Sequence, residues 1–422
     1  MTTWLAVQRF PPPQFTETGH KLPVMTEPAA RALWLERLDV AVLVAALALA
    51  TWLALRRRSR RELAALGLFS LLYFGFWRNG CICSIGAIQN VALALADPGY
   101  AIPMAAVVFA LLPLAAALLF GRVFCSSVCP HGALQDVVLL KPVNVPSWLE
   151  HGLRLLPYIY LGLALVFAAT GAGFIICQYD PFVPIFRLGG SAVMVGLGIG
   201  LLAIGMFVGR PYCRFLCPYG ALLGLASSIS KWRVRIAPQT CTQCRLCEQS
   251  CPFGAINKSS VDTPTPVHAI QADKRRLAAL LVLLPVLVGL GFWLGGLAGT
   301  NFARQHRVVN LAERIHLEET GAVQGTTDAS AAFRATGEPL EKLFANAQAI
   351  RHRFVWAGRL GGAWIALVIG LKLISLAIRR KRTDYEADQF RCVACARCFR
   401  YCPEELKRLG LPVPDPTPPT AP

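Results

Sequence analysis

Two short cysteine runs constrain this chain more than any other feature. The first is CTQCRLCEQSCP at 241–252, and the second is CVACARCFRYCP at 392–403. Both read C-x2-C-x2-C-x3-C-P, the spacing with which bacterial ferredoxins bind two iron–sulfur clusters. Because the fourth cysteine of a run usually ligates the other cluster of the pair, the two runs are expected to fold against each other. Zinc sites or disulfides are the alternative, but zinc usually spaces its ligand pairs further apart.

The pattern assigns eight cysteines to two 4Fe-4S clusters, with the last cysteine of each run exchanged. The two predicted ligand sets are Cys241, Cys244, Cys247 and Cys402, and Cys392, Cys395, Cys398 and Cys251. The chain has 15 cysteines, most of them at cluster spacing, which argues against an oxidising disulfide scaffold. We therefore expect the ferredoxin loops to face the reducing cytoplasm.

The composition indicates a helical membrane protein. The chain is 55% hydrophobic and 16% charged, with a mean hydropathy of +0.49, and it contains apolar runs of membrane-spanning length. The net charge of +18 does not predict nucleic-acid binding, because Lys and Arg collect in short loops beside membrane spans. We predict an all-α polytopic membrane protein with a bipartite 2×4Fe-4S ferredoxin module on its cytoplasmic side.

Seven spans are predicted from the hydropathy pattern. They lie at about 38–55, 63–77, 102–120, 155–176, 191–208, 277–297 and 360–378. The second is short for a crossing, and a buried or re-entrant segment is its alternative. The basic runs RRRSRR at 56–61 and RRKR at 379–382 are expected in the cytoplasm. This puts the N-terminus in the periplasm and both cysteine runs on the cytoplasmic side of a bacterial inner membrane.

The same reasoning divides the chain into consecutive parts. They are a periplasmic segment (1–37), a membrane core with five spans (38–224), the first ferredoxin half (225–275), a sixth helix (276–298), a periplasmic loop (299–353), a seventh helix (354–378), the second ferredoxin half (379–410) and a disordered tail (411–422). The periplasmic loop shows helical patterning around 311–315 and 331–350. It is expected to pack over the spans or to offer a docking surface to a partner.

A repeat lies inside the membrane core. GRVFCSSVCPHGAL at 121–134 matches GRPYCRFLCPYGAL at 209–222. Proline suits the first turn of a helix, so Cys129 and Cys217 are predicted N-cap residues, where free N–H groups favour a thiolate. With Cys125 and Cys213 they are candidates for one further metal or redox site; the alternative is packed, neutral thiols.

Three more cysteines are expected near the opposite, outer face. CSIGAIQN from Cys83 resembles CPHGALQD from Cys129, and Cys81 and Cys177 are predicted to lie beside Cys83. A metal site, a redox-active disulfide and simple packing remain open for these three. All seven histidines fall outside the spans, so a transmembrane haem is not expected. His131 is expected as a partly exposed loop residue in preference to a quinone or cluster contact.

At the two C-x3-C-P units and the two cysteine runs, the chain resembles the NosR/NirI/NapH family of membrane-bound polyferredoxins. The resemblance covers roughly 81–403 and implies electron transfer at a bacterial inner membrane, with the quinone pool as a partner. It also implies a periplasmic partner, since members support periplasmic enzymes that include nitrous-oxide and nitrate reductases. Larger relatives carry an outer flavin domain. Here about 37 residues precede the first span and the loop at 299–353 is short, so FMN is not expected in this chain.

These inferences predict a membrane-bound electron-transfer component in preference to a stand-alone enzyme, with no catalytic residues of its own. It is expected to pass electrons between the quinone pool or a cytoplasmic donor and a periplasmic reductase or flavoprotein. A membrane redox sensor that uses the same clusters is the first alternative. An assembly factor for a periplasmic metalloenzyme is the second.

Overall fold

The computed structural model of this chain describes residues 32–80, 83–143, 145–171, 173–236, 241, 243–258, 267–378, 384–408, 410 and 412. Backbone contacts divide the chain into two compact units. The larger comprises Leu33–Leu287 and Trp364–Pro422, and the smaller includes Val288–Ala363. RRKR at 379–382, Cys81 and nearly all of the tail predicted to be disordered lie outside the described residues.

Among the described residues, four helical stretches are long and apolar enough to cross a membrane. They are Leu33–Arg57, Ser147–Ala169, Asp273–Ala303 and Leu340–Ala377. Shorter apolar helices occupy Ser84–Ala96, Met104–Phe120 and Ala192–Gly205, and the last two overlap the predicted spans at 102–120 and 191–208. The count of seven spans and the side of the membrane on which each end lies stay predictions.

Thirteen helices of the larger unit form its membrane core within the described residues. They are α1 (Leu33–Trp52), α2 (Arg60–Ser70), α3 (Ser84–Ala96), α4 (Met104–Phe120), α5 (Val123–Ser127), α6 (Pro130–Val138), α7 (Ser147–Leu153), α8 (Leu156–Ala169), α9 (Ile175–Tyr179), α10 (Val183–Phe186), α11 (Ala192–Gly205), α12 (Pro211–Phe215) and α13 (Pro218–Ser227). Short π-helical turns, Leu53–Arg57 and Leu71–Trp77, extend α1 and α2. The helices α3 and α13 both pack against α4 and α8.

The smaller elements of the ferredoxin module follow the core and close the chain. The first half contributes α14 (Leu246–Gln249) and β1 (Ile256–Asn257). Between the halves run α15 (Val267–Ala303), α16 (Arg307–Glu319), α17 (Asp328–Ala335) and α18 (Leu340–Ala377). The second half contributes β2 (Glu386–Ala387), α19 (Arg397–Tyr401) and α20 (Pro403–Arg408).

The segment predicted as a polar loop is mostly helical. The helices α16 and α17 and the first turns of α18 bury a small apolar cluster that includes Val309, Ile315, Phe333 and Leu343. Helices therefore occur at both places where the pattern predicted them, because each presents an amphipathic face that needs a partner. The helix that carries the seventh predicted span begins at Leu340, well before the apolar stretch itself.

Candidate functional site

The two cysteine runs, distant in sequence, form one module. The helix α14 of the first run packs against α19 of the second. The strands β1 and β2 pair antiparallel, with Ile256 opposite Ala387 and Asn257 opposite Glu386. The Asp388 N–H also donates to the Ala255 carbonyl at 2.7 Å. The expectation that the halves fold against each other is met within the described residues.

The backbone of the two loops has the same unusual conformation at matching positions. Gln243 and Arg245 in the first run have φ of 54° and 62°, and Ala394 and Ala396 in the second have φ of 53° and 59°. Non-glycine residues adopt left-handed φ rarely, since the Cβ crowds the backbone there. Such turns direct successive N–H groups into a concavity that binds anions and iron–sulfur clusters. The loops therefore fit an iron–sulfur cluster, although neither carries a glycine to ease the turn.

The thiols of the module lie in two groups. Cys247 is within electrostatic range of Cys244, Cys402 and Cys241. Cys398 is within electrostatic range chiefly of Cys392, Cys395 and Cys251, and more weakly of Cys247. This is the distribution that the exchange of fourth cysteines predicts, and the ligand assignment itself stays a prediction.

Burial sets the ionisation of these thiols. Desolvation, reinforced by the neighbouring thiols, raises the pKa of Cys247 to about 12, and desolvation likewise raises the pKa of Cys392 to about 12. A thiolate at these positions therefore needs a compensating positive charge such as iron. Among the described residues, no group of three or more His, Cys, Asp or Glu could hold a single metal ion. The ligands of a 4Fe-4S cluster bind four different irons and need not converge on one point.

The repeat of the membrane core forms two matching helix pairs. Cys129 is the N-cap of α6 and Cys217 is the N-cap of α13, each followed by proline, as predicted. The Gly220 N–H donates to the Cys217 sulfur at 3.2 Å. Cys217 is within electrostatic range of Cys213, Cys129 and Cys125, so the four repeat cysteines lie together. Burial nevertheless raises the pKa of both N-cap thiols well above the usual value, so it outweighs the effect that was expected to favour thiolates.

Each repeat also carries an arginine that reaches across to the other repeat. A Cβ on Gly132 would lie 3.1 Å from Arg210 Nη1, and a Cβ on Gly220 would lie 3.2 Å from Arg122 Nη2. Arg122 donates to the Cys125 sulfur at 3.7 Å and to the Phe390 carbonyl at 2.9 Å. It therefore joins the core to the second ferredoxin half. Our sequence reasoning missed both arginines, whose signal is the Gly-Arg pair that opens each copy.

The second arginine, Arg210, is almost completely buried. Its Nε and Nη2 donate to Asp136 Oδ1 and Oδ2, both at 2.8 Å, and it also donates to the Cys125 carbonyl. Its guanidinium lies 5.5 Å from the ring of Phe253 in the first ferredoxin half. Although burial alone would raise it, Arg210 and Arg60 hold the pKa of Asp136 well below its ordinary range.

Two buried glutamines, Gln135 and Gln89, accept comparable backbone hydrogen bonds in the core. Gln135 Nε2 donates to the Cys213 sulfur at 3.2 Å, and its Oε1 accepts from the Tyr212 N–H at 3.0 Å. Gln89 Oε1 accepts from the Ile176 N–H, the residue before Cys177, at 3.0 Å. The likeness is limited to this backbone hydrogen bond, because within the described residues the Gln89 amide nitrogen donates to no cysteine sulfur. Sequence reasoning noted the CSIGAIQN likeness but not the glutamine that it contains.

Cys83 and Cys177 border a mainly apolar cavity of about 290 Å³ that Asp180 and Arg78 also line. Cys83 is the N-cap of α3, and it is within electrostatic range of Asp180 and Cys177. A Cβ on Gly86 would lie 2.7 Å from the Cys177 sulfur, so α3 and this thiol approach closely. Cys83 is also within electrostatic range of Cys129. Cys81, the third predicted member, lies outside the described residues.

The expectation that His131 is a partly exposed loop residue is wrong. His131 is 0% exposed, and its Nε2 lies 3.1 Å from Asp180 Oδ2. The Tyr212 hydroxyl donates to the same carboxylate oxygen at 3.0 Å. His131 lies in the first turn of α6, which points into the core, and a one-dimensional pattern cannot show which face of so short a helix is covered.

Comparison with known proteins supports an iron–sulfur assignment. A 4Fe-4S binding domain matches residues 102–146 and 191–237, and a second family of the same description matches residues 234–257. The first match covers both copies of the repeat, and the second covers the first cysteine run.

Several curated proteins are similar to this chain. The methylamine utilization ferredoxin-type protein MauN of Paracoccus denitrificans (strain Pd 1222) is 30% identical over 221 residues, 48% of this chain and 76% of MauN. The regulatory protein NosR of Pseudomonas aeruginosa is 30% identical over 280 residues, 57% of this chain and 38% of NosR. YccM of Escherichia coli (strain K12) is 30% identical over 152 residues, 32% of this chain and 42% of YccM. The chain thus spans less than half the length of NosR and of YccM. No solved structure matches it.

Proposed function

The chain belongs to the NosR/NirI/NapH family of membrane-bound polyferredoxins, and on that premise we propose that it carries electrons from one face of the membrane to the other. Its relatives support iron–sulfur electron transfer in general. We propose further that the donor is the quinone pool or a cytoplasmic reductant. The acceptor is a reductase or flavoprotein at the periplasmic face.

The ferredoxin module is the proposed cytoplasmic end. Cys241, Cys244, Cys247 and Cys402 would hold one 4Fe-4S cluster, and Cys392, Cys395, Cys398 and Cys251 the second. Such clusters accept one electron each, at potentials that hydrogen bonds and exposure adjust. The left-handed loop residues at 243, 245, 394 and 396 support this assignment, since they shape both loops alike.

One observation carries the rest of the proposal: the cysteines form a continuous series. Cys125 packs in the same small apolar cluster as Cys251, Cys392 and Cys395 of the module. The four repeat cysteines lie together, and Cys129 neighbours Cys83. A hydrocarbon core is roughly 30 Å thick, too far for one efficient electron transfer, so a membrane carrier needs intermediate sites. We assign the repeat cysteines to such a site and the cavity beside Cys83 and Cys177 to the outer end.

The test uses the anaerobically purified protein in detergent, with its clusters oxidised. A quinol is added while the visible absorbance is followed, and dithionite then gives full reduction. We expect partial bleaching by the quinol and an iron content that falls by about four per protein in Cys398→Ser. Bleaching by dithionite alone would remove quinol as the donor. A protein without iron would overturn the ferredoxin assignment.

A redox sensor is the second candidate, and it rests on the word "regulatory" in the name of NosR. A sensor needs the clusters but no continuous path to the outer face. Reduction of the clusters without electron delivery to an outer acceptor would favour it.

A further inference from the structure

A larger cavity of the larger unit has no cysteine in its lining. It is an open groove of about 1030 Å³ between α1, α4 and the segment 231–235. Its walls are aliphatic and aromatic, and include Leu47, Leu112 and Leu119. A groove of this shape accommodates a hydrocarbon chain. The proposed electron path through the cysteines does not involve it.

One end of this groove is strongly basic. The cations that line it are Arg56, Arg58, Lys231, Arg233 and Arg235. Arg58 pairs with Glu405 at 2.7 Å. Within the described residues, the other four make no ion pair with a carboxylate, so they remain available to an anionic ligand.

The basic segment is held in place by the core. The Trp232 N–H donates to the Leu119 carbonyl at 2.9 Å, and the Trp232 ring stacks on Phe120 at 5.5 Å. Val234 is 7% exposed and anchors the segment from the other side. A basic loop that only orients a span needs no such attachment and no shared cavity. Orientation of the span therefore does not explain this arrangement.

We propose that this groove binds an anionic phospholipid, with its phosphate among the basic residues and an acyl chain between α1 and α4. Arginine and lysine pair with phosphate oxygens, and basic pockets between membrane helices are suited to anionic headgroups. The chemistry favours an anionic lipid over a neutral quinone, because only a phosphate can form ion pairs with these cations.

The site adjoins the second ferredoxin half. Phe399, which follows Cys398, lines the groove, and the guanidinium of Arg58 lies 4.5 Å from its ring. A bound phosphate would compensate the cations gathered beside this contact. The lipid would thereby stabilise the contact between the second ferredoxin half and the membrane core.

The test is native mass spectrometry of the full, iron-loaded chain, titrated with phosphatidylglycerol and, separately, with phosphatidylcholine. The variant Arg233→Gln/Arg235→Gln is expected to bind phosphatidylglycerol about tenfold more weakly, equal to about 1.4 kcal/mol. The control is Arg307→Gln/Arg353→Gln, which removes two exposed arginines of the smaller unit and should change the affinity less than about twofold.

A second variant separates a site from general surface charge. Ala48 is exposed on the groove wall, so Ala48→Trp fills the space for the acyl chain and leaves every cation in place. We expect its affinity for phosphatidylglycerol to fall as much as that of the charge variant. Unchanged absorbance of the clusters would show that it is folded. Equal affinity for both lipids, equal losses in the control, or displacement of phosphatidylglycerol by ubiquinone would each overturn the proposal.

Discussion

Arg210 shows what one side chain contributes to this core. It is 1% exposed, its φ is 49°, and its guanidinium binds Asp136 through two parallel hydrogen bonds. Left-handed backbone costs a non-glycine residue about 1 kcal/mol, so the ion pair must offset this strain as well as desolvation. The contact between the two repeats depends on the ion pair of Arg210 and Asp136.

Replacement of Arg210 by Met should therefore destabilise the protein by about 3–5 kcal/mol, because it leaves Asp136 buried with only Arg60 as its cation. The double variant Arg210→Met/Asp136→Leu should recover part of the loss, since the buried carboxylate is removed and only the partly exposed Arg60 loses its partner. Thermal unfolding in detergent at pH 7 measures both. A double variant no more stable than the single one would contradict this account.

The same pair predicts a pH dependence. The pKa of Asp136 is held below its ordinary value, so its contribution is fully present above about pH 4 and declines as the pH falls further. The gap in stability between the natural chain and Arg210→Met should narrow as the pH is lowered from neutral towards about 3. A gap that widened on acidification would be inconsistent with the sign of this shift.

Gln135 gives a redox test at a single residue. Its amide N–H donates to the Cys213 sulfur, and such bonds stabilise the reduced, more negative state of a cluster. The variant Gln135→Glu keeps an oxygen that accepts from the Tyr212 N–H, but it loses the N–H group that donates to the Cys213 sulfur. The midpoint potential of the site assigned to the repeat cysteines should fall by about 60 mV, a tenfold factor for one electron. Gln89→Glu is the control and should leave this potential unchanged in a redox titration followed by EPR.

At the scale of elements, the cysteine motifs predicted local structure well and hydropathy predicted it less well. Proline after Cys129 and Cys217 fixes the helix starts locally, and the structure places them there. The helix α3 was missed, because its 13 residues are too few for a hydropathy window and its burial depends on α4 and α8. The contacts of Arg122 and Arg210 were beyond prediction, since they depend on how the two repeats are oriented.

Helix packing in the smaller unit yields a further prediction. A Cβ on Gly295 of α15 would lie 2.9 Å from the carbonyl carbon of Gly358 in α18, closer than real Cβ atoms approach. Gly295→Ala should force the helices apart and cost about 1–3 kcal/mol, measured by thermal unfolding in detergent. Gly289 is the matched control, because a Cβ there meets nothing within 4 Å, and Gly289→Ala should be neutral or slightly stabilising. Similar losses in both variants would argue against close packing as the cause.

At the scale of the whole larger unit, two similar cysteine–glutamine groups of the core distinguish the candidate functions. The spacing from Cys129 to Gln135 recurs from Cys83 to Gln89. Each glutamine accepts a hydrogen bond from the N–H of the residue that precedes a further cysteine, Cys213 or Cys177. The first group adjoins the ferredoxin module through Cys125, and the second borders the cavity of about 290 Å³. A sensor would need only the first group, whereas a carrier needs both, so the outer group separates the two candidate functions.

The corresponding experiment uses proteoliposomes with dithionite inside and ferricyanide outside. Molecules with the ferredoxin module inside should reduce ferricyanide. Cys83→Ser/Cys177→Ser should lower that rate at least about tenfold, since transfer over the remaining hydrocarbon thickness is slow. The same variant should keep its module iron and its bleaching by dithionite, which controls for folding. A rate equal to that of the natural chain would exclude the outer thiols from the path. It would leave the first group, beside the ferredoxin module, as the only part of the cysteine series with a redox role.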